Sequence, residues 1–310
     1  MDADFIAQIL FSAIKTGTPL LFIALGEVIC EKSGGLNLGQ EGMMLMGAVV
    51  GFLAAYSTGN MAFGMLAAMA MGCVMSLIFG VLVLHLGANQ VATGLALTIF
   101  GTGLSAFVGS DFVGKTIQGF NPIPIPYLSS IPYLGKILFE HDILVYLSFI
   151  MTVLIMYVAN KTRLGLTLKA VGENPNAANA IGIKVLRVRY LAIMFGGAMT
   201  GIAGAYMSLV YTPMWAESMT AGRGWIALAL VVFASWRVGR IMLGAYLFGL
   251  ASIMHLVLQG FGWTISTNLL AMLPYVATVF VMVIISADKF KEKLLAPRSL
   301  GKPFDPRHMA

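Results

Sequence analysis

Charge is scarce in this sequence. Only 10% of its 310 residues are Asp, Glu, Lys or Arg, against about 25% in an average soluble domain. A water-facing surface cannot be built from that inventory, which excludes an ordinary soluble enzyme. Cysteine is nearly missing: Cys30 and Cys73 are the two, they fall in or beside apolar stretches, and they lack metal-type spacing. No disulfide framework is expected, and both read as small apolar packers. His85 and His255 are solitary, so no metal site is expected. A basic leader is missing too. Asp2 and Asp4 open the first apolar stretch, no small-residue cleavage site follows, and a signal peptide is not expected. The two-residue alternation of a membrane barrel is also absent.

What is abundant is apolar surface: 59% of residues are hydrophobic and mean hydropathy is +0.88. A bilayer core of about 30 Å needs about 20 apolar residues per helix, and backbone groups in lipid must pair internally. Suitable runs occur at 5–29, 38–57, 61–86, 90–109, 142–160, 188–211, 219–236, 240–258 and 266–287. The expected fold class is an all-α integral membrane protein of about nine transmembrane helices. Residues 1–287 would form the transmembrane domain, with an outer loop at 110–141, and 288–310 a basic cytoplasmic tail.

Basic residues orient such a bundle, because Lys and Arg near helix ends mark the cytoplasmic side. Lys161, Arg163, Lys169, Lys184, Arg187 and Arg189 form one cluster; Lys289, Lys291, Lys293, Arg298, Lys302 and Arg307 form another. Four spans separate them, so both fit the cytoplasm, together with Lys32, Arg237 and Arg240. The N-terminus is then outside and the C-terminus inside. The net charge of +6 thus reports orientation, and nucleic acid is not expected as a partner. Trp215 and Trp263 are expected near the outer interface and Trp236 near the inner one. The Pro-rich stretch Asn121-Pro122-Ile123-Pro124-Ile125-Pro126 reads as stiff, either a docking element for an external partner or a plain connection.

Asn37-Leu38-Gly39-Gln40-Glu41-Gly42 opens the second span and Thr220-Ala221-Gly222-Arg223-Gly224 the seventh. Each is followed by a span, a short turn and a further span. One copy would start inside and the other outside, as in the inverted-topology repeats that bracket a pathway in transporters. Gly109-Ser110-Asp111-Phe112-Val113-Gly114-Lys115-Thr116 satisfies the spacing of a phosphate-binding loop. That loop needs a strand before it and a helix N-terminus after it. Here a membrane span precedes and a Pro-rich stretch follows, so no ATPase activity is expected of this chain. Gly197 and Gly201 form G-x-x-x-G, which permits close helix contact.

Within 161–189, Asn174 suits an N-cap, Pro175 the first helical position and Gly182 a left-handed end. A helix of about two turns at 174–181 is too short to persist alone. Flanked by Lys and Arg, it is expected to lie on the cytoplasmic surface, where it could seat in a groove on a soluble partner.

Three separated blocks carry a family likeness. They are Leu36-Asn37-Leu38-Gly39-Gln40-Glu41-Gly42-Met43-Met44, Ala170-Val171-Gly172-Glu173-Asn174-Pro175-Asn176-Ala177-Ala178, and Met219-Thr220-Ala221-Gly222-Arg223-Gly224-Trp225-Ile226-Ala227-Leu228-Ala229. Together, over about residues 10 to 285, they resemble permease subunits of bacterial ABC importers in the simple-sugar/nucleoside branch, related to ribose and branched-chain amino-acid permeases. The first block is more similar to nucleoside permeases than to ribose permeases. Many relatives carry one more N-terminal helix, which this chain is expected to lack.

The resemblance implies a multi-pass protein of the bacterial plasma (inner) membrane that translocates a nucleoside or simple sugar inward. It implies no cofactor on this chain; ATP and magnesium belong to a cytoplasmic ABC ATPase partner. An extracytoplasmic substrate-binding protein and a second permease subunit are the other partners, a heterodimer being favoured over a homodimer. Coupling to the ATPase would fall to Glu173, Asn174, Pro175, Asn176, Ala177, Ala178, Ile181 and Gly182.

Polar groups at membrane depth are costly unless they face a cavity or one another. Asn37, Gln40, Glu41, Asn89, Gln90, Thr93, Thr220, Arg223 and Trp225 are therefore candidates for the substrate pathway, or else caps and mutual pairs. Glu27 is expected to be paired or protonated if it faces the interior. The alternative function is a self-sufficient secondary transporter or channel driven by an ion gradient, for which Glu27 and Glu41 would be the ion-handling groups.

Overall fold

A 30-residue helix, α1 (Ala3–Lys32), is the axle of the structure. At about 1.5 Å per residue it is about 45 Å long, more than the thickness of a bilayer core. Almost every residue from Ala13 to Glu31 is buried, so its apolarity serves contact with protein. The computed structural model describes residues 3–260, 272, 276 and 296–304. The expected span at 266–287 and Trp263 fall outside the described residues.

α2 (Gln40–Thr58) and α3 (Met61–Gly80) form a hairpin about Gly59 and the N-cap Asn60, and α3 ends in a π turn at Val81–His85. α4 (Gln90–Gly109) follows, ending in a 3-10 turn. A short helix, α5 (Leu134–Phe139), precedes α6 (Ile143–Lys161), which Asp142 caps. Then come α7 (Arg163–Glu173), α8 (Pro175–Ala180) and α9 (Val185–Tyr206), the last continued by a π turn at Met207–Tyr211. α10 (Arg223–Phe233) and α11 (Val238–Gly260) complete the described helices.

Among the described residues, six helices are long and apolar enough to cross a membrane. The expected span at 219–236 is shorter than its hydropathy suggested: α10 has 11 residues, about 16 Å of helix, because residues 219–222 form turns in front of it. A second difference lies in 161–189, where α7 occupies much of what reads in the sequence as loop. Its apolar residues are spread thinly among Lys, Thr and Gly, so no membrane-length run announces it.

α1 packs against α9 and α11, while α9 also lies against α2 and α3. Small residues set these distances. A Cβ on Gly201 would stand 2.2 Å from the Ala68 carbonyl, and one on Gly197 would stand 2.3 Å from the Gly72 carbonyl. The G-x-x-x-G pair thus lets α9 lie backbone to backbone on α3.

At one end of the bundle, residues 113–120 run beside the end of α9, with the Ile117 amide bonded to the Pro213 carbonyl and the Phe120 amide to Leu209. The Pro-rich stretch is held to the following turn: the Ile123 and Ile125 amides donate to His141 and Phe139, and the Tyr146 hydroxyl donates to Ile123. Its prolines need no partners, so the alternating isoleucines make the ladder. The phosphate-loop look-alike sits here without a following helix; Lys115 lies 4.4 Å from the Phe112 ring centroid. The opposite end gathers residues 33–37, α7, α8, the turn before α11 and residues 296–304.

Candidate functional site

After α1, the chain turns at Gly34 (φ +94°) and runs back along the helix it has just left. The Asn37 amide donates to Glu27 Oε1 at 3.2 Å. Glu27 also accepts from the Gln40 side chain, whose carbonyl accepts from the Thr200 hydroxyl. A continuous polar chain therefore joins α1, the start of α2 and α9 in an otherwise apolar interior. Asn37 and Gln40 are buried, and Asn37 Oδ1 caps Gly39 at 2.9 Å.

α2 consequently begins inside the bundle, and its next residue points at α10. Glu41 accepts from the Thr220 hydroxyl at 2.5 Å, the Gly222 amide at 2.9 Å and the Gly224 amide at 2.7 Å. The two amides belong to the N-terminus of α10, so one carboxylate stabilises the positive ends of two helices at once. Gly224 is required by the approach: a Cβ there would stand 2.6 Å from the Glu41 amide nitrogen. The two Gly-rich helix starts found in the sequence meet head to head.

The remaining pathway candidates divide by exposure. Thr220 and Gln90 are buried; Gln90 accepts from the Leu36 amide at 2.7 Å and donates to the Lys302 carbonyl at 3.4 Å. Asn89 is exposed and caps α4 through the Ala92 amide. Thr93, Arg223 and Trp225 are half-buried. Arg223 donates to the Thr220 carbonyl at 3.2 Å and stands over the Tyr211 ring at 5.4 Å.

The second constellation is α8. Asn174 Oδ1 accepts from the Ala177 amide at 3.0 Å, Pro175 occupies the first turn, and Gly182 takes φ +87°. Ala178 points inward, packing with Val171, Val185 and Phe304. Asn176 and Ala177 point outward, and Ile181 is 77% exposed. Glu173 pairs with Arg298 at 3.7 Å.

Residues 296–304 form a strap across the back of this platform. Ser299 Oγ donates to the Gly172 carbonyl at 2.7 Å, and the Gly301 amide donates to Gly34 at 3.1 Å. Arg189, wholly buried, donates to the Ser33 carbonyl (3.1 Å), the Lys302 carbonyl (3.3 Å) and Ser299 Oγ (3.2 Å). The strap thereby links α8's supports to the loop entering α2. The sequence marks Arg189 only as one of a basic cluster, and nothing in it marks Ser299. The tryptophans also differ from expectation. Trp215 and Trp236 lie near the two ends but are buried, and Trp236 Nε1 donates to Glu31 at 2.5 Å.

The family described as "Branched-chain amino acid transport system / permease component" matches residues 9–286. The provisionally assigned glucose ABC transporter permease protein TsgC13 of Haloferax volcanii is 40% identical over 86% of this chain and 82% of its own length. The nucleoside ABC transporter permease protein NupC of Lactococcus lactis is 32% identical over 92% of each chain. The guanosine ABC transporter permease protein NupQ of Bacillus subtilis is 31% identical over 98% of each chain.

Proposed function

This chain belongs to the branched-chain amino acid transport system permease-component family, within its sugar and nucleoside ABC permeases, and from that premise we propose that it carries a nucleoside or simple sugar inward across a bacterial plasma membrane, driven by ATP hydrolysed on a separate cytoplasmic subunit. The observation that carries this is α8: a capped, two-turn helix held rigidly from behind and presenting Asn176, Ala177 and Ile181 outward. A motor protein could push on it, and the strap and α9 would pass the movement to the start of α2. On this reading the end bearing α8 is cytoplasmic, and ATP and magnesium are bound by the partner.

Glu27, Asn37, Gln40, Glu41, Thr220 and Gln90 would hold the inner ends of α2, α4 and α10 in register. Thr93, Arg223 and Trp225, which keep exposed surface, are the better candidates to meet the solute, on a face completed by a second permease subunit. A flat indole and a guanidinium suit a nucleoside base as well as a sugar's hydroxyls. An extracytoplasmic binding protein would dock at the opposite end, where Tyr127 is 91% exposed. Transport by this chain alone on an ion gradient is less well supported, because Glu27 and Glu41 each accept several internal hydrogen bonds.

The test is Ile181→Arg in vesicles containing the assembled transporter. Uptake is expected to fall more than about tenfold, the loss of most of a docking contact worth about 1.4 kcal/mol or more, while folding of the chain is retained. Unchanged uptake, or accumulation of solute by the purified chain alone, would reject the proposal.

A further inference from the structure

An apolar groove of about 270 Å³ runs between α1, α6, α7 and α9, walled by Ile29, Ile155, Val158, Leu168, Leu191 and Phe195. Thr167 is the one polar side chain in its lining. Directly beyond it, towards the end that carries α8, lies a second pocket of about 240 Å³ lined by Lys32, Asn160, Gly165, Lys169, Glu173 and Pro297, among others.

The two are in register. α1 gives Ile29 to the groove and Lys32, one turn on, to the pocket. α6 gives Val158 to the groove, then Ala159 and Asn160 to the pocket, and Leu168 of α7 lines both. Lys32 and Lys169 thus bring two like charges to one pocket. Glu173, the acid in that lining, is turned to Arg298 at 3.7 Å. Among the described residues neither lysine has a carboxylate partner. An uncompensated pair of cations above a dry channel matches a molecule with an anionic head and a hydrocarbon tail. α7 itself leaves Leu164 and Leu166 more than two-thirds exposed, as a helix lying at the headgroup boundary does.

We infer that the Lys32–Lys169 pocket and the groove beneath it bind one anionic phospholipid, its phosphate between the two lysines and an acyl chain along α6 and α9. This holds whichever face of the membrane α8 occupies and does not depend on the transported solute. Such a lipid would brace α7, on which α8 stands.

Native mass spectrometry of the purified full chain, titrated with phosphatidylglycerol or phosphatidylcholine, tests it. Each lysine near a membrane surface contributes about 1 kcal/mol towards an anionic lipid, so a preference for phosphatidylglycerol of about 25-fold is expected. Lys32→Gln with Lys169→Gln should abolish the preference, and the paired Arg substitutions should keep it. Thr167→Phe should weaken retention of both lipids by filling the groove. Lys169→Gln alone, at an exposed position, should reduce the preference about fivefold and serves if the double variant does not fold. Equal retention of the two lipids, or a preference that Lys169→Gln leaves undiminished, overturns the inference. Displacement of phosphatidylglycerol by millimolar glycerol 3-phosphate or inorganic phosphate overturns it in favour of a free-anion site.

Discussion

The Tyr206 hydroxyl donates a 3.0 Å hydrogen bond to the Lys15 carbonyl, the acceptor four residues before Pro19 in α1. Proline has no amide to offer that carbonyl. A buried side chain from α9 therefore completes the backbone of α1. Tyr206→Phe should lower stability by about 1 kcal/mol, the usual cost of an unsatisfied buried acceptor. Adding Pro19→Ala should recover part of that loss, since an alanine amide can take over the acceptor. Thermal unfolding in detergent of the two single variants and the double variant measures the coupling, and strict additivity would refute it.

Glu41 and Gly224 make a stronger prediction. Gly224→Ala places a methyl group 2.6 Å from the Glu41 amide and must push α2 and α10 apart. Glu41→Gln keeps the shape but removes the charge that accepts from three donors, at a cost of about 2 kcal/mol. Both variants should unfold at lower temperature, Gly224→Ala more so, and both should lose uptake in vesicles.

The strap supplies a third. Arg189→Met leaves the Ser33 and Lys302 carbonyls without their guanidinium donor and should release residues 296–304 from the bundle. Hydrogen exchange at the Ser299 and Gly301 amides is expected to rise by about tenfold or more, corresponding to the loss of about 1.4 kcal/mol of local protection. Exchange within α3, remote from the strap, should stay unchanged.

His141 gives a pH signature. It is buried against Phe11, its Nε2 2.9 Å from the Ile137 carbonyl and its Nδ1 without a partner. Burial holds its pKa below the ordinary 6.5, the nearby Lys15 charge acting in the same direction. The unfolded chain therefore takes up the proton first as pH falls, so stability is constant above about 6.5 and declines below it. His141→Gln should flatten the decline between pH 6.5 and 5 in thermal unfolding. Asp142, whose pKa burial raises, acts with the opposite sign at lower pH.

Much of the helical layout was legible because apolar runs and capping residues are local signals. Asn174, Pro175 and Gly182 mark the ends of α8 by their own backbone chemistry, and Asn60 and Asn89 cap helices as their type suggests. α10 was overestimated because hydropathy does not distinguish the uncharged turn at 220–222 from the start of a helix. The polar chain through Glu27, Gln40 and Thr200 spans 173 positions and depends on which faces meet, which periodicity does not specify. Glu41 could be flagged as costly at depth, but its partner could not be named without the approach of α10. Ser299 carried no signal, since a serine in a basic stretch looks like any surface residue.

Residues 296–304 are synthesised after every helix they fasten. Until they emerge from the ribosome, the Arg189 guanidinium lacks the Ser299 and Lys302 acceptors, and Gly34 in the loop leading into α2 lacks its bond from Gly301. The platform can therefore stiffen only late in biogenesis. A chain interrupted before this stretch would present a slack, protease-accessible surface, which the cell could recognise before the chain is used.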